Sequence, residues 1–267
     1  MGRSFGILVL QCEEEGIIIY MGSGLSSKIF DKIRKDIING VYPVGSKLPT
    51  ERELAVKHMA SRFAVREAIA MLSQNGFTET HPQSGTFIKD FYNEGSLDAL
   101  VQSLCVRRVI DRQTLNSLLK FRFVTETDAA KEAASRITTE DINYLTANLK
   151  KKEENLTNFT VLTECDYDFH FRIITASANV ISKLTFQSFK PIYSFFAAFF
   201  YSIPGSPKAS LELNLKLLVA LKRKDSQASY EAMADILKHA ERKVYESIDE
   251  KENLIILNHD GTNSPMV

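Results

Sequence analysis

The chain has 267 residues, and at roughly 150 residues per domain that length holds about two domains, each able to bury a core. Lysine plus arginine number 33 and aspartate plus glutamate 33, so the chain is neutral; it is not a coat for polyanions, and any nucleic-acid contact must come from local charge. Hydrophobic residues at 44% and charged residues at 25% exclude intrinsic disorder, while only 12 glycines and 7 prolines favour helices over turn-rich β architecture.

Residues 1–24 carry no usable periodicity. Their apolar runs, Gly6–Leu10 and Gly16–Tyr20, are split by Glu13, Glu14 and Glu15, too short and too acidic for a signal peptide. Met21-Gly-Ser-Gly-Leu would serve as an alternative start, so this stretch reads as a loose extension or a mis-set beginning. Cys12, Cys105 and Cys165 are an odd, scattered set, which argues against a disulfide framework and for a reducing compartment. The longest apolar stretch, Pro191–Ile203, has 13 residues, short of the ~20 a membrane helix needs. The chain is expected to be cytoplasmic, with no membrane partner.

From residue 25 the pattern becomes regular. Ile29, Ile33 and Ile37 recur at i, i+4 and i+8, the stripe of a helix over about 27–39, and Gly40 stands where a left-handed stop belongs. Tyr42-Pro43-Val44-Gly45 reads as a turn. Thr50-Glu51-Arg52-Glu53 is a capping box opening a short second helix. Ser61 caps a third, whose apolar side is Val65, Ala68, Ile69 and Leu72, with Arg62 and Arg66 four apart on the other side and Gly76 at its end. Residues 77–79 and 86–88 read as strands around His81-Pro82-Gln83-Ser84-Gly85. Three helices and a hairpin in about 65 residues make a winged helix-turn-helix over 25–91. This segment holds ten basic residues against seven acidic, a net +3 in a neutral chain. A capped helix presenting two arginines can enter the major groove of double-stranded DNA, reading guanine and positioning on phosphate. Two arginines at this spacing can equally be only solvated; the cap, turn and wing beside them favour DNA.

The order Gly40-x-Tyr-Pro-x-Gly45-Ser-Lys-Leu-Pro-Thr-Glu51-Arg52-Glu53-Leu-Ala55, then Ser61-Arg62-x-x-Val65-Arg66-Glu67-Ala68, then Leu72…Gly76 and Gly85-Thr-Phe, resembles the GntR family of bacterial transcription regulators over about 25–89. The resemblance implies that Arg52 contacts phosphate or base, that Ser61, Arg62, Ala64 and Arg66 belong to the recognition helix, and that Gln83, Ser84 and Gly85 form the wing tip. Met59 stands where the family usually has glycine, and Phe63 and Ala64 where it often has a polar residue and proline, so operator preference is expected to differ while docking geometry is kept.

Ten of the twelve glycines lie before residue 96, and 92–98 reads as a linker. Helix then follows helix over 99–250, an all-α antiparallel bundle of six or seven helices with a tail at 251–267. Expected helices include one leading through Ala129, Ala130, Ala133 and Ala134, one capped by Thr138-Thr139-Glu140-Asp141, one over 162–178 stopped by Asn179, and two over 211–222 and 225–248. Phe121-Arg122…Glu126…Ala133-Ala134, with Asp166-x-x-Phe169-His170…Asn179 and Asp225…Ala228…Met233, resembles the FCD ligand-sensing domain of FadR-like regulators.

Asp166 and His170, at i and i+4, share a helix face and suit a divalent cation such as zinc or nickel. They read equally as a surface pair or a core histidine. The resemblance puts further ligands on later helices, where this chain has Asn214 and Ile236, with His239 one turn on as a substitute. The site is incomplete, and any cation is expected to be weakly held. Asp166, His170 and Asn214, with Arg122, are the candidate effector contacts; Arg122 could grip an effector carboxylate bidentately or bridge to Glu126 on its own helix. Eight aromatic residues among positions 186–201 read as core, subunit interface or pocket wall, and Pro191 is expected to kink or interrupt their helix.

The leading expectation is a ligand-responsive, homodimeric regulator, a repressor acting on a palindromic operator, whose effector is a small organic acid or other metabolite. A metal-dependent enzyme on the bundle and a winged-helix adaptor are the alternatives; no Ser-His-Asp order, H-E-x-x-H or glycine-rich phosphate loop supports the enzyme.

Overall fold

The computed structural model describes residues 24–107, 109–247 and 254–256. The extension 1–23 and most of the tail lie outside the described residues. The contacts divide the chain into two compact units, one ending at Arg107 and one beginning at Arg108.

The first unit runs α1 (Leu25–Ile38), α2 (Glu51–Lys57), α3 (Arg62–Gln74), β1 (Thr78–His81), β2 (Gly85–Ile88) and α4 (Leu97–Arg107). The isoleucine stripe of α1 packs on Leu54 of α2, on Val65, Ala68 and Leu72 of α3, and on Phe77. Gly40 and Gly76 end α1 and α3 with φ of 78° and 80°. In each case the amide after the glycine donates back to the carbonyl five residues earlier, Val41 to Asp36 and Phe77 to Leu72, as a left-handed stop requires. β1 and β2 pair antiparallel from Thr78 opposite Ile88 to His81 opposite Gly85, and the 45–48 segment hydrogen-bonds along β2 to complete the wing.

The boundary differs from the expected linker at 92–98. Helix α4 belongs to the first unit: Ala99 enters its core, Gln102 accepts from the buried Arg34 at 2.8 Å and donates to Asn75 at 3.1 Å, and Arg107 donates to the Ile38 carbonyl at 2.8 Å. These are contacts over 27 to 69 residues, which sequence spacing does not reveal.

Met59, between α2 and α3, takes the left-handed conformation (φ 49°) and is 92% exposed. A side chain there costs about 1–2 kcal/mol and no packing is gained, while glycine loses roughly 0.5–1 kcal/mol through its freer unfolded chain. Met59→Gly is therefore expected to stabilise the unit by up to about 1 kcal/mol, read as a higher urea midpoint. A lower midpoint would contradict the strain.

The second unit runs β3 (Val109–Asp111), α5 (Arg112–Arg136), α6 (Thr139–Glu153), α7 (Phe159–Ala176), α8 (Val180–Ser188), α9 (Lys190–Ser202), α10 (Ser206–Lys222), α11 (Ser226–Glu246) and β4 (Leu254–Ile256). Helix α5 packs on α11 and α7, α7 lies against α6 and α9, and α10 packs on α11 and α6. The bundle is mostly helical as expected, with one addition: β3 and β4 pair antiparallel, drawing part of the tail back to the start of the unit. Side-chain caps from Asp111, Thr138, Asn158, Asn179 and Asp225 open α5, α6, α7, α8 and α11.

One local expectation is corrected. Asn179 does not stop α7, which ends at Ala176; it caps α8, its side chain accepting from the Ser182 amide at 3.0 Å. Of the two outcomes expected at Pro191, a kink or an interruption, the chain shows the interruption: α8 ends at Ser188, and the proline sits in the first turn of α9, where its missing N–H would have had no helical partner. No helix among the described residues is long and apolar enough to cross a membrane.

Candidate nucleic-acid interface and ligand pocket

The reading head is built from two capped helices. Thr50 and Glu53 close a reciprocal box, the Thr50 amide donating to the Glu53 carboxylate at 2.8 Å and the Glu53 amide to Thr50 Oγ1 at 3.3 Å. Ser61 Oγ accepts from the Ala64 amide at 3.2 Å. Arg52, Arg62 and Arg66 are all exposed. Arg66 does not point freely to solvent: its Nε and Nη2 donate to the two carboxylate oxygens of Glu51 at 2.9 and 2.8 Å, joining α3 to α2. That bond holds the Glu51 carboxyl below its usual range.

Ala64 departs from its expected place on the reading face. It is 7% exposed and packs in the core, so the recognition helix presents Arg62, Phe63 and Arg66 instead. Phe63 is 71% exposed. Its position beside Arg62 is legible in the sequence; its exposure depends on the helix phase. Gln83 (φ 61°) and Ser84 sit exposed at the wing tip. Gly85 takes φ 124°, a conformation that strains any L side chain, and the flexible end of Lys47 lies over it, Cε 2.3 Å from where a Cβ would stand. Lys47, exposed and bridged to β2 opposite Phe87, thus lies across the wing, a basic residue that sequence reasoning did not single out.

In the second unit, a cavity of about 40 Å³ opens among α5, α7, α9, α10 and α11, its walls including Arg122, Asp166, His170 and His239 beside Phe196, Phe200 and Ile236. Two of the eight clustered aromatics thus line the cavity, while Phe186, Tyr193 and Tyr201 pack with Tyr167 in the core. Arg122 lies 4.5 Å above the Tyr193 ring and donates from Nε to Glu126 at 2.6 Å, the same-helix bridge. Glu126, fully buried, also meets His170 Nδ1 at 2.5 Å. Burial pushes the Glu126 carboxyl up, but Arg122 and His170 outweigh it and leave it below the usual carboxylate range. His239 stacks edge-on against Phe200, and its Nε2 is buried with no hydrogen-bond partner. Burial pushes its pKa down, toward the neutral ring.

Asp166 and His170 share a helix but serve different partners. Asp166 Oδ1 accepts from Lys152 Nζ at 2.9 Å and Tyr201 Oη at 2.5 Å, and its Oδ2 accepts from Tyr193 Oη at 2.7 Å. Burial raises the Asp166 pKa, yet the Lys152 ammonium and the two hydroxyls prevail and hold it far below the usual range. Burial and Asp166 together push both tyrosine hydroxyls well above theirs. Lys152 also donates to Ser210 Oγ at 2.9 Å. The Asn214 amide, turned with its oxygen to the ammonium at 3.0 Å and its nitrogen to the Ser210 carbonyl at 3.3 Å, completes the set. Asn214 is fully buried and faces Lys152, in place of the expected role as a third cation ligand.

These residues do not fit a divalent cation. Both Asp166 oxygens and the Asn214 oxygen already face hydrogen-bond donors, Ile236 has no donor atom, and His170, whose Nδ1 meets Glu126, has only Nε2 to offer. His239 Nδ1 lies 3.3 Å from Arg242 Nη2, so the two imidazoles offer one Nε2 each, short of the three protein ligands that a zinc site needs. Among the described residues, no three His, Cys, Asp or Glu side chains are grouped to hold a metal.

Comparison with known proteins gives two matches in order along the chain: bacterial regulatory proteins, gntR family, over residues 25–88, and the FCD domain over residues 117–239. The chain is similar to the Uxu operon regulator of Haemophilus influenzae, 28% identical, covering 84% of this chain and 83% of that protein. It is also similar to the galactonate operon transcriptional repressor of Escherichia coli, 22% identical, covering 83% and 97%. A solved structure described as Lar, which controls expression of the Listeria monocytogenes agr system, is 18% identical, with a TM-score of 0.59 over 84% of this chain and 97% of that one; it supports the fold alone.

Proposed function

The chain belongs to the gntR family of bacterial regulatory proteins and carries an FCD domain behind its winged helix, and from that premise we propose how this ligand-responsive DNA-binding transcription regulator works. It is not an enzyme. The observation that carries the DNA reading is the pair of capped helices with Arg52, Arg62 and Arg66 exposed beside the wing.

In this reading α3 enters the major groove, Arg62 and Arg66 meet bases and phosphates, Arg52 and Lys47 hold the backbone, and Gln83, Ser84 and Gly85 bring the wing to the minor groove. Two copies bind a palindromic operator, since paired half-sites mirror a two-fold dimer. The apolar residues that α8 leaves exposed, Val180, Ile181 and Leu184, supply a face for the second copy. The protein acts in the cytoplasm as a repressor, the role that the galactonate relative carries in its name.

The effector enters the cavity walled by Arg122, Asp166, His170 and His239. Its charged side chains are paired internally, Arg122 with Glu126 and Lys152 with Asp166, so the pocket suits a small metabolite with an apolar body and one polar group for His239 Nε2. A carboxylate has to draw Arg122 away from Glu126 to gain a bidentate partner. A zinc or nickel ion is no part of this reading.

Binding to duplex DNA from upstream of the gene, followed by fluorescence anisotropy from 50 to 300 mM salt, tests the proposal. With roughly four phosphate contacts per copy, the dimer's log–log salt slope is expected near about −7. A slope near zero, or equal affinity for unrelated DNA at every salt concentration, would remove it.

A further inference from the structure

One buried charge in the second unit, with all its hydrogens engaged, is a lysine that its own sequence disguises. Lys150, Lys151 and Lys152 close α6 as a basic run that reads as a solvated helix end, and the first two behave so, with side chains 76% and 57% exposed. Lys152 is 0% exposed. Helix phase turns it inward, where α6 packs on α7 and α10.

An ammonium has three hydrogens and accepts nothing. Here each hydrogen has one oxygen: Asp166 Oδ1 from α7, and Ser210 Oγ and the Asn214 amide oxygen from α10, at 2.9, 2.9 and 3.0 Å. These are hydrogen-bond lengths, well beyond the roughly 2.0–2.2 Å of a zinc–oxygen bond. Two of the three oxygens, those of Asp166 and Asn214, are the ones that the spacing and the family resemblance assign to a divalent cation. Tyr201 from α9 takes the second site on Asp166 Oδ1 and Tyr193 from the same helix takes one on Oδ2. One positive charge against one carboxylate also leaves no surplus, whereas a divalent ion on the same carboxylate would.

We infer that the Lys152 amino group takes, in this chain, the place of the divalent cation that its relatives' sensing domain would hold there, so that a tethered charge clamps α6, α7, α9 and α10 and no metal is needed. This deepens the regulator reading and rests on it for the word sensing; metal content and melting, the readouts below, require no DNA, so the two ideas fail separately.

The full chain is incubated with excess zinc or nickel, dialysed and assayed for metal, and melted with and without EDTA. Less than about 0.1 ion per chain and a melting shift under about 1 °C on chelation are expected, because the oxygens are already engaged. Lys152→Met, which keeps the length and removes the charge, is expected to lower the melting temperature by roughly 10 °C by stranding Asp166. Lys152→Met with Asp166→Asn removes both charges and is expected to recover more than half of that loss, a rescue that a merely packed lysine would not show. If the single variant does not fold, folding of the double variant is itself the rescue, and its failure to fold counts as no rescue. One ion per chain surviving dialysis, a single variant as stable as the parent, or a double variant no better than the single would each overturn the inference.

Discussion

Arg62→Ala and Arg66→Ala are each expected to weaken operator binding by about 1–3 kcal/mol, roughly 5- to 150-fold, with unfolding unchanged. Both side chains lie on the exposed side of α3, opposite the buried Val65, Ala68 and Leu72, so truncation removes no core contact. The two differ in one respect. Losing Arg66 also leaves Glu51 without its bidentate partner on the face that meets DNA, and a bare carboxylate repels phosphate. Arg66→Ala therefore falls toward the upper end of the range. Anisotropy titrations at one fixed salt concentration, with urea melts in parallel, check this; parental affinity in both variants at unchanged stability would take the guanidinium contacts out of the mechanism.

Glu126→Ala is expected to cost about 3–5 kcal/mol of stability, since removing one member of a buried ion pair strands the other. Glu126 is fully buried and holds both Arg122 and His170, so its removal takes the buried carboxylate partner from two groups at once. Glu126→Gln keeps the shape and one acceptor oxygen, so it should lose distinctly less. Urea denaturation followed by circular dichroism measures both. A Glu126→Ala loss below about 1 kcal/mol would mean that Arg122 and His170 find other partners at little cost.

Much of the fold is legible in the sequence because it is local. A capping box spans three residues, a left-handed stop needs one glycine, and an isoleucine stripe repeats every turn; Thr50, Gly40, Ile29, Ile33 and Ile37 carry those features in plain view. What is illegible depends on contacts between distant residues. Asp166 and His170 do share one helix, as their spacing implies, yet their partners, Lys152 and Glu126, stand 14 and 44 residues away. Lys152 is hidden by its neighbours: three lysines in a row look alike until helix phase and packing separate them. Ala64 shows the same limit, since its family position suggests the groove and its helix phase turns it to the core. The assignment of α4 to the first unit rests on Gln102 and Arg107 reaching back 68 and 69 residues to α1.

The bond between Arg66 and Glu51 also bears on how the protein finds its site. On random sequence, Arg66 would exchange a well-aligned carboxylate for a phosphate of similar chemistry and gain little. Only a guanine presented at the right depth in the groove offers a bidentate acceptor on a base edge as well. In the proposed reading Glu51 competes for the arginine at every position along the DNA and yields only where such a guanine is presented. On that reading the protein lingers less on incorrect sites, where Arg66 stays with Glu51 and adds nothing to binding, and operator affinity is lower by the energy of the carboxylate bond that is given up.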